Sequence, residues 1–279
     1  KVIQNVKKRK EMVNILGLQT QGAEERVGVS FLESELKNAG IKGALILPTS
    51  PPDEVAHIND TFFNKIKCSD LLFTAGTLHP HYKGNKEELE KFMKRKIRGI
   101  KLCSFAQGFS LTDPAFFAML DLIVEFNTKH NAGFFLILDT FFSAAHFFGS
   151  SEEHNTTPAL FADIVKQFPK IDFIAAHMGG LAAPFDQIRT HMVFRDNFYM
   201  DTSNAAHVLS EDEFIFLLKA QGPEHIIFGT DWPWFTHAEE LALQKRMCQK
   251  AGFSEKDQGF VFSKNIIRLT DSTLLDYSI

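Results

Sequence analysis

The sequence predicts an α/β fold, and within that class a (β/α)8 TIM barrel whose first strand lies upstream of Lys1. Three observations predict it. Seven short apolar runs alternate with helical runs from Gly43 onward, the pattern of a parallel sheet covered by helices. No Gly-rich turn follows an early strand, as an open nucleotide-binding sheet requires. Polar residues, His79, Lys101, Asp139, His177, Asp201 and Asp231, fall at or just past the ends of different strands. A barrel assembles its site from loops at that end of every strand.

The elements follow in order. Residues 1 to about 15 set Val2, Ile3, Val6, Met12 and Ile15 among lysines, an amphipathic helix with no strand before it. A helix over Ser30 to Asn38 stops at Asn38-Ala39-Gly40. Gly43 to Leu47 is a strand closed by Pro48, and Asp53 caps a helix to about Lys67. Leu71 to Thr77 is a strand, then His79-Pro80-His81 and a helix from Lys86 to Lys96. Ile97 to Leu102 is a strand carrying Lys101, with Cys103 after it. Asp113-Pro114 opens a helix to His130. Phe134 to Leu138 is a strand ending at Asp139, and Pro158 starts a helix through Gln167. Phe173 to Ala176 ends at His177-Met178-Gly179-Gly180, with a helix over Ala183 to His191, and Phe198 to Met200 ends at Asp201-Thr202-Ser203. Ser210 with Glu213 reads as a capping box. Ile226 to Gly229 is the last strand, followed by helices from His237 to Ala251 and from Glu255 to Leu269. A closed barrel needs eight strands and seven are visible; because the chain opens on Lys1 rather than Met, the missing one is expected upstream.

Composition narrows the function classes. The length suits one domain over 1–279, and no low-complexity linker divides it. A hydrophobic content of 44% with 23% charged residues is that of a globular chain. A net charge of −4 leaves no basic footprint for nucleic acid or an anionic membrane. No apolar run approaches the ~20 residues of a membrane span. Cys68, Cys103 and Cys248 lack paired metal-type spacing and read as reduced thiols of a cytoplasmic protein. The expected partners are a small-molecule substrate and, at most, a second copy in a homodimer.

The chemistry concentrates at Ile226 to Trp234, where three β-formers run through Gly229 to Asp231. A carboxylate at the end of a buried strand is expensive unless paired, hydrogen-bonded or metal-bound. Asp231 is therefore either a cap of the next helix or a site residue. His177 before Gly-Gly is either a turn histidine or a site residue. Lys101 could pair with Asp139, an ion pair in place of metal binding. Cys103 is a small buried hydrophobe or a ligand. His79 and His81 form a loop cluster within reach of the mouth. Trp232 and Trp234, with Phe141, Phe142, Phe147 and Phe148, could wall an apolar pocket or fill the core. Asp201 reads as a capping or orienting residue.

In sequence order, Leu47-Pro48, Gly76-Thr77-Leu78-His79-Pro80, Gly99-Ile100-Lys101-Leu102, Ala176-His177-Met178-Gly179-Gly180, Asp201-Thr202-Ser203 and Gly229-Thr230-Asp231-Trp232-Pro233 are similar to the amidohydrolase superfamily, and more narrowly to its "amidohydrolase 2" branch. The resemblance implies a divalent metal at the barrel mouth, zinc first, with manganese, iron or magnesium as alternatives. It implies Asp231, Asp139 and His177 as metal residues and His177 and Asp231 as catalytic; beside them Lys101, Cys103, His79, Trp232 and Trp234 are the candidate substrate-binding residues. It also implies a His-x-His on the strand expected upstream. Asp139 stands where the family places a histidine, and Cys103 where many relatives have one.

The function expected from this is metal-dependent hydrolysis of a C–N or C–O bond in a small molecule through metal-activated water. Two alternatives stay open: non-oxidative decarboxylation on the same scaffold, and a barrel that has lost its metal and binds without catalysis.

Overall fold

The computed structural model describes residues 6–192 and 197–271. Each predicted apolar run forms a parallel strand: β1 (Ala44–Ile46), β2 (Leu72–Thr74), β3 (Gly76–Thr77), β4 (Gly99–Leu102), β5 (Phe135–Leu138), β6 (Asp172–Ala175), β7 (Phe198–Asp201) and β8 (Ile226–Ile227). The predicted strand Leu71 to Thr77 is split because its two halves serve different neighbours. β2 pairs with β1 while β3 pairs with β4, and Ala75 between them donates its N–H to the Ile46 carbonyl. From β3 to β8 the strands pair consecutively. Among the described residues no ladder joins β8 to β1, so the sheet is an arc with an opening where an eighth strand of a closed barrel runs.

Alternation along the strands builds two cores. Leu136 and Leu138 of β5, with Ile100, Leu102, Phe173, Ala175, Phe198 and Met200, face outward into the layer shared with the helices. Phe135 and Ile137, with Leu45, Ala75, Ile174, Tyr199 and Ile227, face inward and fill the barrel floor, plugged by Ile266 and Leu269 of the last helix. Leu45 of β1 packs against the same cluster that contains Ile227 of β8, so both ends of the arc border one inner core. Gly99 is required on the inner face: a Cβ there would stand 3.0 Å from the Phe135 ring and 3.4 Å from the Ala75 Cβ.

The period of two then carries upward. Above Phe135 and Ile137 on the inner face comes Asp139; opposite Ile137 in register is Lys101; above Tyr199 comes Asp201. The barrel axis is therefore apolar at the floor and charged at the mouth.

The helices lie largely where the sequence puts them. Asp113 caps Pro114–His130 through the Ala115 N–H, and Ser210 with Glu213 forms both hydrogen bonds of a capping box on Glu211–Gln221. The helix before β2 starts at Val55 with Glu54, not Asp53, as its N-cap residue. The opening helix, α1 (Val6–Ile15), is described from Val6; Val2 and Ile3 lie outside the described residues. Met12, Leu16 and Leu18 pack on Phe141, Phe147, Leu181 and Phe235, which belong to loops after β5, β6 and β8. The second helix, α2 (Val29–Asn38), packs Leu32 and Leu36 on the outer face of β1.

Candidate functional site

Lys101, Cys103, Asp139, His177 and Asp231 come together at the C-terminal mouth of the barrel. Asp139 Oδ2 stands 3.9 Å from Lys101 Nζ and 3.6 Å from His177 Nε2, and its Oδ1 accepts the Phe141 N–H at 3.0 Å. Lys101 is 8% exposed and Cys103 5%. Asp231 Oδ2 accepts from Asn204 Nδ2 at 3.3 Å.

Two of these residues sit in backbone conformations that side chains disfavour. His177 has φ 56° and Asp231 φ 53°, in the left-handed region. Each such residue costs of order 1–3 kcal/mol, and such residues cluster where a side chain must be aimed. The His177 turn is held by Asp201, whose Oδ1 accepts the His177 N–H at 3.0 Å. The same oxygen accepts the Ser203 N–H at 2.9 Å and the Ser203 hydroxyl. His177 Nδ1 lies 3.0 Å from both the carbonyl and the hydroxyl oxygen of Ser203. The chain just past β8 closes over this group at Gly229, where a Cβ would meet the Ser203 Cβ at 3.1 Å and Asp201 Oδ1 at 3.4 Å.

Burial and mutual charge set the protonation of the cluster. Burial works to lower His177, but the Asp139 hydrogen bond and the Asp231, Asp139 and Asp201 charges outweigh it and raise its pKa to about 9. Burial works to raise Asp139, but the His177 hydrogen bond, the Lys101 ammonium and the Phe141 N–H outweigh it and lower its pKa to about 2. Asp231 goes the other way: burial pushes its carboxyl up against the pull of His177, with the Asp139 and Asp201 charges adding to the rise. Burial first, and the Asp139 charge next, push the Cys103 thiol well up, so it is an un-ionised side chain in the wall. The mouth thus holds a cationic imidazole, an ammonium, a firmly ionised carboxylate and a second carboxyl whose pKa is pushed up.

The other expected site residues lie elsewhere. His79 is 2% exposed with both ring nitrogens engaged: Nδ1 accepts the His81 N–H at 3.1 Å, and Nε2 lies 3.2 Å from the Gln107 carbonyl, to which it donates. Burial lowers its pKa, so it is a neutral strut between two loops. Trp232 turns to the outer layer, where its indole N–H donates to Glu35 at 3.0 Å and its ring packs with Leu32, Leu36 and Ile66. Trp234 is 36% exposed. Phe141 and Phe147 stack under α1 rather than walling an open pocket. Sequence reading left Asn204 aside and saw Ser203 only as part of a motif. The signal available for both was the unbroken polar run Asp201-Thr202-Ser203-Asn204 directly after an apolar strand.

Among the described residues no three His, Cys, Asp or Glu side chains form a group that could hold a metal ion. The expected metal residues Asp139, His177 and Asp231 do come together at the mouth, where a divalent ion would need donors beyond these three. With no ion bound, the neighbouring carboxylates raise the His177 pKa to about 9, and an ion would have to displace that proton to bind there. Asp139 is already neutralised by two cations. As arranged, these three side chains do not fit a metal by themselves.

Residues 69–270 match the model of the amidohydrolase family. The chain belongs to that family. No curated protein matches it. Solved structures share its fold. The 5-carboxyvanillate decarboxylase of Sphingomonas paucimobilis is 17% identical, with 86% of this chain and 82% of that one covered and a TM-score of 0.65. The 5-carboxyvanillate decarboxylase of Novosphingobium aromaticivorans, complexed with manganese and 4-hydroxy-3-methoxy-5-nitrobenzoic acid, is 18% identical over 91% and 83%, TM-score 0.67. The dihydroxybenzoic acid decarboxylase of Polaromonas, with manganese and 2-nitroresorcinol, is 14% identical over 92% and 91%, TM-score 0.65. The family member is thus built on the scaffold of enzymes. No helix among the described residues is long and apolar enough to cross a membrane.

Proposed function

We propose that this amidohydrolase-family protein is a decarboxylase of small aromatic or conjugated carboxylic acids, in preference to the hydrolase that the sequence resemblance first implies. The observation that carries the reading is the pair of cations, Lys101 and His177, converging on Asp139 beside an Asp231 whose carboxyl is pushed up. Hydrolysis needs a base or a metal to activate water. His177 is already protonated and Asp139 is held far below the range of an effective base. Decarboxylation needs the reverse, an anion-binding mouth and an acid.

In this reading Lys101 and His177 hold the anionic oxygens of the substrate and oppose the charge that develops on it. The bond from carbon to the leaving carboxylate breaks, carbon dioxide departs, and the electron pair left on carbon takes the Asp231 proton. Solvent returns a proton to Asp231. Cys103 lines the mouth as an uncharged wall. The names of the three relatives agree in reaction class. Manganese is present in two of them; a divalent ion in this protein, zinc or manganese, needs donors beyond the three discussed, and no step is assigned to it.

The test is a panel of hydroxybenzoates, carboxyvanillate and matched esters, lactones and amides, assayed with and without added manganese or zinc. Carbon dioxide release from at least one acid is expected. Hydrolysis of the neutral substrates with no carbon dioxide from any acid overturns the reading in favour of the hydrolase. Binding of an acid without turnover overturns it in favour of the non-catalytic barrel.

A further inference from the structure

We infer that Thr77, Thr140 and Thr202 are positioning residues, which latch the backbone of the strand ends that carry Lys101, His177 and Asp231. All three are 0% exposed, and they stand at or just past the mouth ends of β3, β5 and β7. Each hydroxyl reaches sideways to the next strand of the arc. Thr77 Oγ1 donates to the Lys101 carbonyl at 3.0 Å, its other acceptor in reach being the Leu78 carbonyl, farther off at 3.5 Å. Thr140 Oγ1 donates to the carbonyl of Ala176, the residue before His177. Thr202 Oγ1 accepts the Gly229 N–H at 3.1 Å and donates to the Gly229 carbonyl at 3.3 Å, two residues before Asp231. The three side chains given work in the proposed reaction thus hang from backbone secured in the same way.

Strand ends are where such latches are needed. Ladder hydrogen bonds stop with the strand, and the backbone groups beyond it must find other partners. The peptide between Ala176 and His177 shows the result. Its carbonyl takes the Thr140 hydroxyl from the β5 side, and its N–H goes to Asp201 Oδ1 at 3.0 Å on the β7 side. That peptide is clamped from both neighbouring strands just where His177 enters its left-handed turn. Threonine suits the task, because its β-branch restricts χ1 and so fixes the aim of the hydroxyl. At 0% exposure none of the three meets a substrate, which leaves position as what they supply. A displacement of about 1 Å at a reacting group costs on the order of 100-fold in rate.

The kinetic expectations rest on the decarboxylase reading; the structural ones do not. Threonine-to-valine substitution keeps the shape and removes the hydroxyl, while threonine-to-serine keeps the hydroxyl. On an acid that is turned over, Thr202→Val loosens the strand end of the proton donor and is expected to lower kcat about 10- to 100-fold, with KM within about twofold. Thr77→Val and Thr140→Val lie behind the anion-holding Lys101 and His177. They are expected to lower kcat/KM about 10- to 100-fold with KM raised by about threefold or more. The three serine variants should stay within about threefold of wild type. Asn265→Leu is the control, since Asn265 Nδ2 ties the Pro223 and Ile226 carbonyls at 2.8 and 2.7 Å at the opposite end of β8. It is expected to lower the melting temperature as the valine variants do and to leave both constants within about twofold.

Hydrogen exchange supplies a readout that needs no turnover. The Gly229 amide in Thr202→Val and the His177 amide in Thr140→Val are expected to exchange about tenfold faster or more, and neither should change in Asn265→Leu. Unchanged exchange at both amides overturns the inference. So do valine variants with wild-type kcat and KM, or a kinetic loss in Asn265→Leu as large as theirs. Should one valine variant fail to fold, the other two decide. Faster exchange in a protein that decarboxylates no acid sinks the function and leaves the positioning intact.

Discussion

Asp139 Oδ2 and His177 Nε2 face each other at 3.6 Å across the barrel mouth, with Lys101 Nζ on the same carboxylate oxygen at 3.9 Å. Removing the shared carboxylate leaves two buried cations without a partner. Asp139→Ala is expected to destabilise the fold by about 3–5 kcal/mol. Lys101→Met leaves His177 to neutralise Asp139 and is expected to do less damage. Urea unfolding of the three proteins at neutral pH checks the order; equal midpoints for Asp139→Ala and wild type contradict the ion-pair description.

The same pair gives stability a pH signature. The His177 pKa is raised to about 9 in the folded state, against an ordinary 6.5. Its contribution is complete below the ordinary value and is lost as pH rises through about 9. Asp139, lowered to about 2, contributes fully above its ordinary 3.9 and loses that only as pH falls toward about 2. The stability difference between wild type and His177→Gln should therefore be flat at mildly acidic pH, shrink as pH rises from about 6.5 to about 9, and level off above that. Thermal melts of both proteins across that range measure it. A difference that grows with rising pH contradicts the assigned sign.

How much of this was legible follows residue by residue. The inner stack Phe135, Ile137, Asp139 could be read because a strand side chain repeats every second residue, and the structure puts all three on one face. The Ser210–Glu213 box and the Asp113-Pro114 start were legible because caps are local. His79 and Trp232 were not legible as struts. Their partners, the Gln107 carbonyl and the Glu35 carboxylate, are 28 and 197 residues away in sequence. The protonation of His177 depends on charges brought by several strand ends at once, and no local pattern encodes that.

Asp231 offers the most direct check on the chemistry. Asp231→Asn keeps the shape and the oxygen facing Asn204 Nδ2 but has no acid proton to give. A loss in kcat of about 100- to 10,000-fold is expected for decarboxylation, with KM little changed. Steady-state assays on whichever acid releases carbon dioxide provide the measurement. A variant with wild-type kcat removes Asp231 as the proton donor.

His79 should separate structure from function in the opposite sense. Its buried ring joins the His81 N–H to the Gln107 carbonyl, so His79→Ala leaves both groups short of a partner at a cost of about 1–3 kcal/mol. Because the ring points into that loop contact and not at Asp139, KM should stay within about twofold where turnover is measured below the lowered melting temperature. A tenfold rise in KM with no change in stability would return His79 to the substrate site.

Gly229 tests whether the strand ends at the mouth are as tightly interlocked as the distances say. A methyl group there meets the Ser203 Cβ at 3.1 Å and Asp201 Oδ1 at 3.4 Å. The first contact is tighter than a well-packed site accommodates, and neither neighbour is the loose end of a long side chain. Gly229→Ala is expected to cost about 1–3 kcal/mol through overpacking. Relief of the clash moves Ser203 away from residue 229, and Ser203 carries both oxygens that face His177 Nδ1. The substitution should therefore lower kcat as well as stability, although Gly229 itself touches no substrate. Differential scanning calorimetry and kcat on one preparation read the two effects together. A variant that loses stability and keeps full kcat would mean that Ser203 yields without disturbing His177.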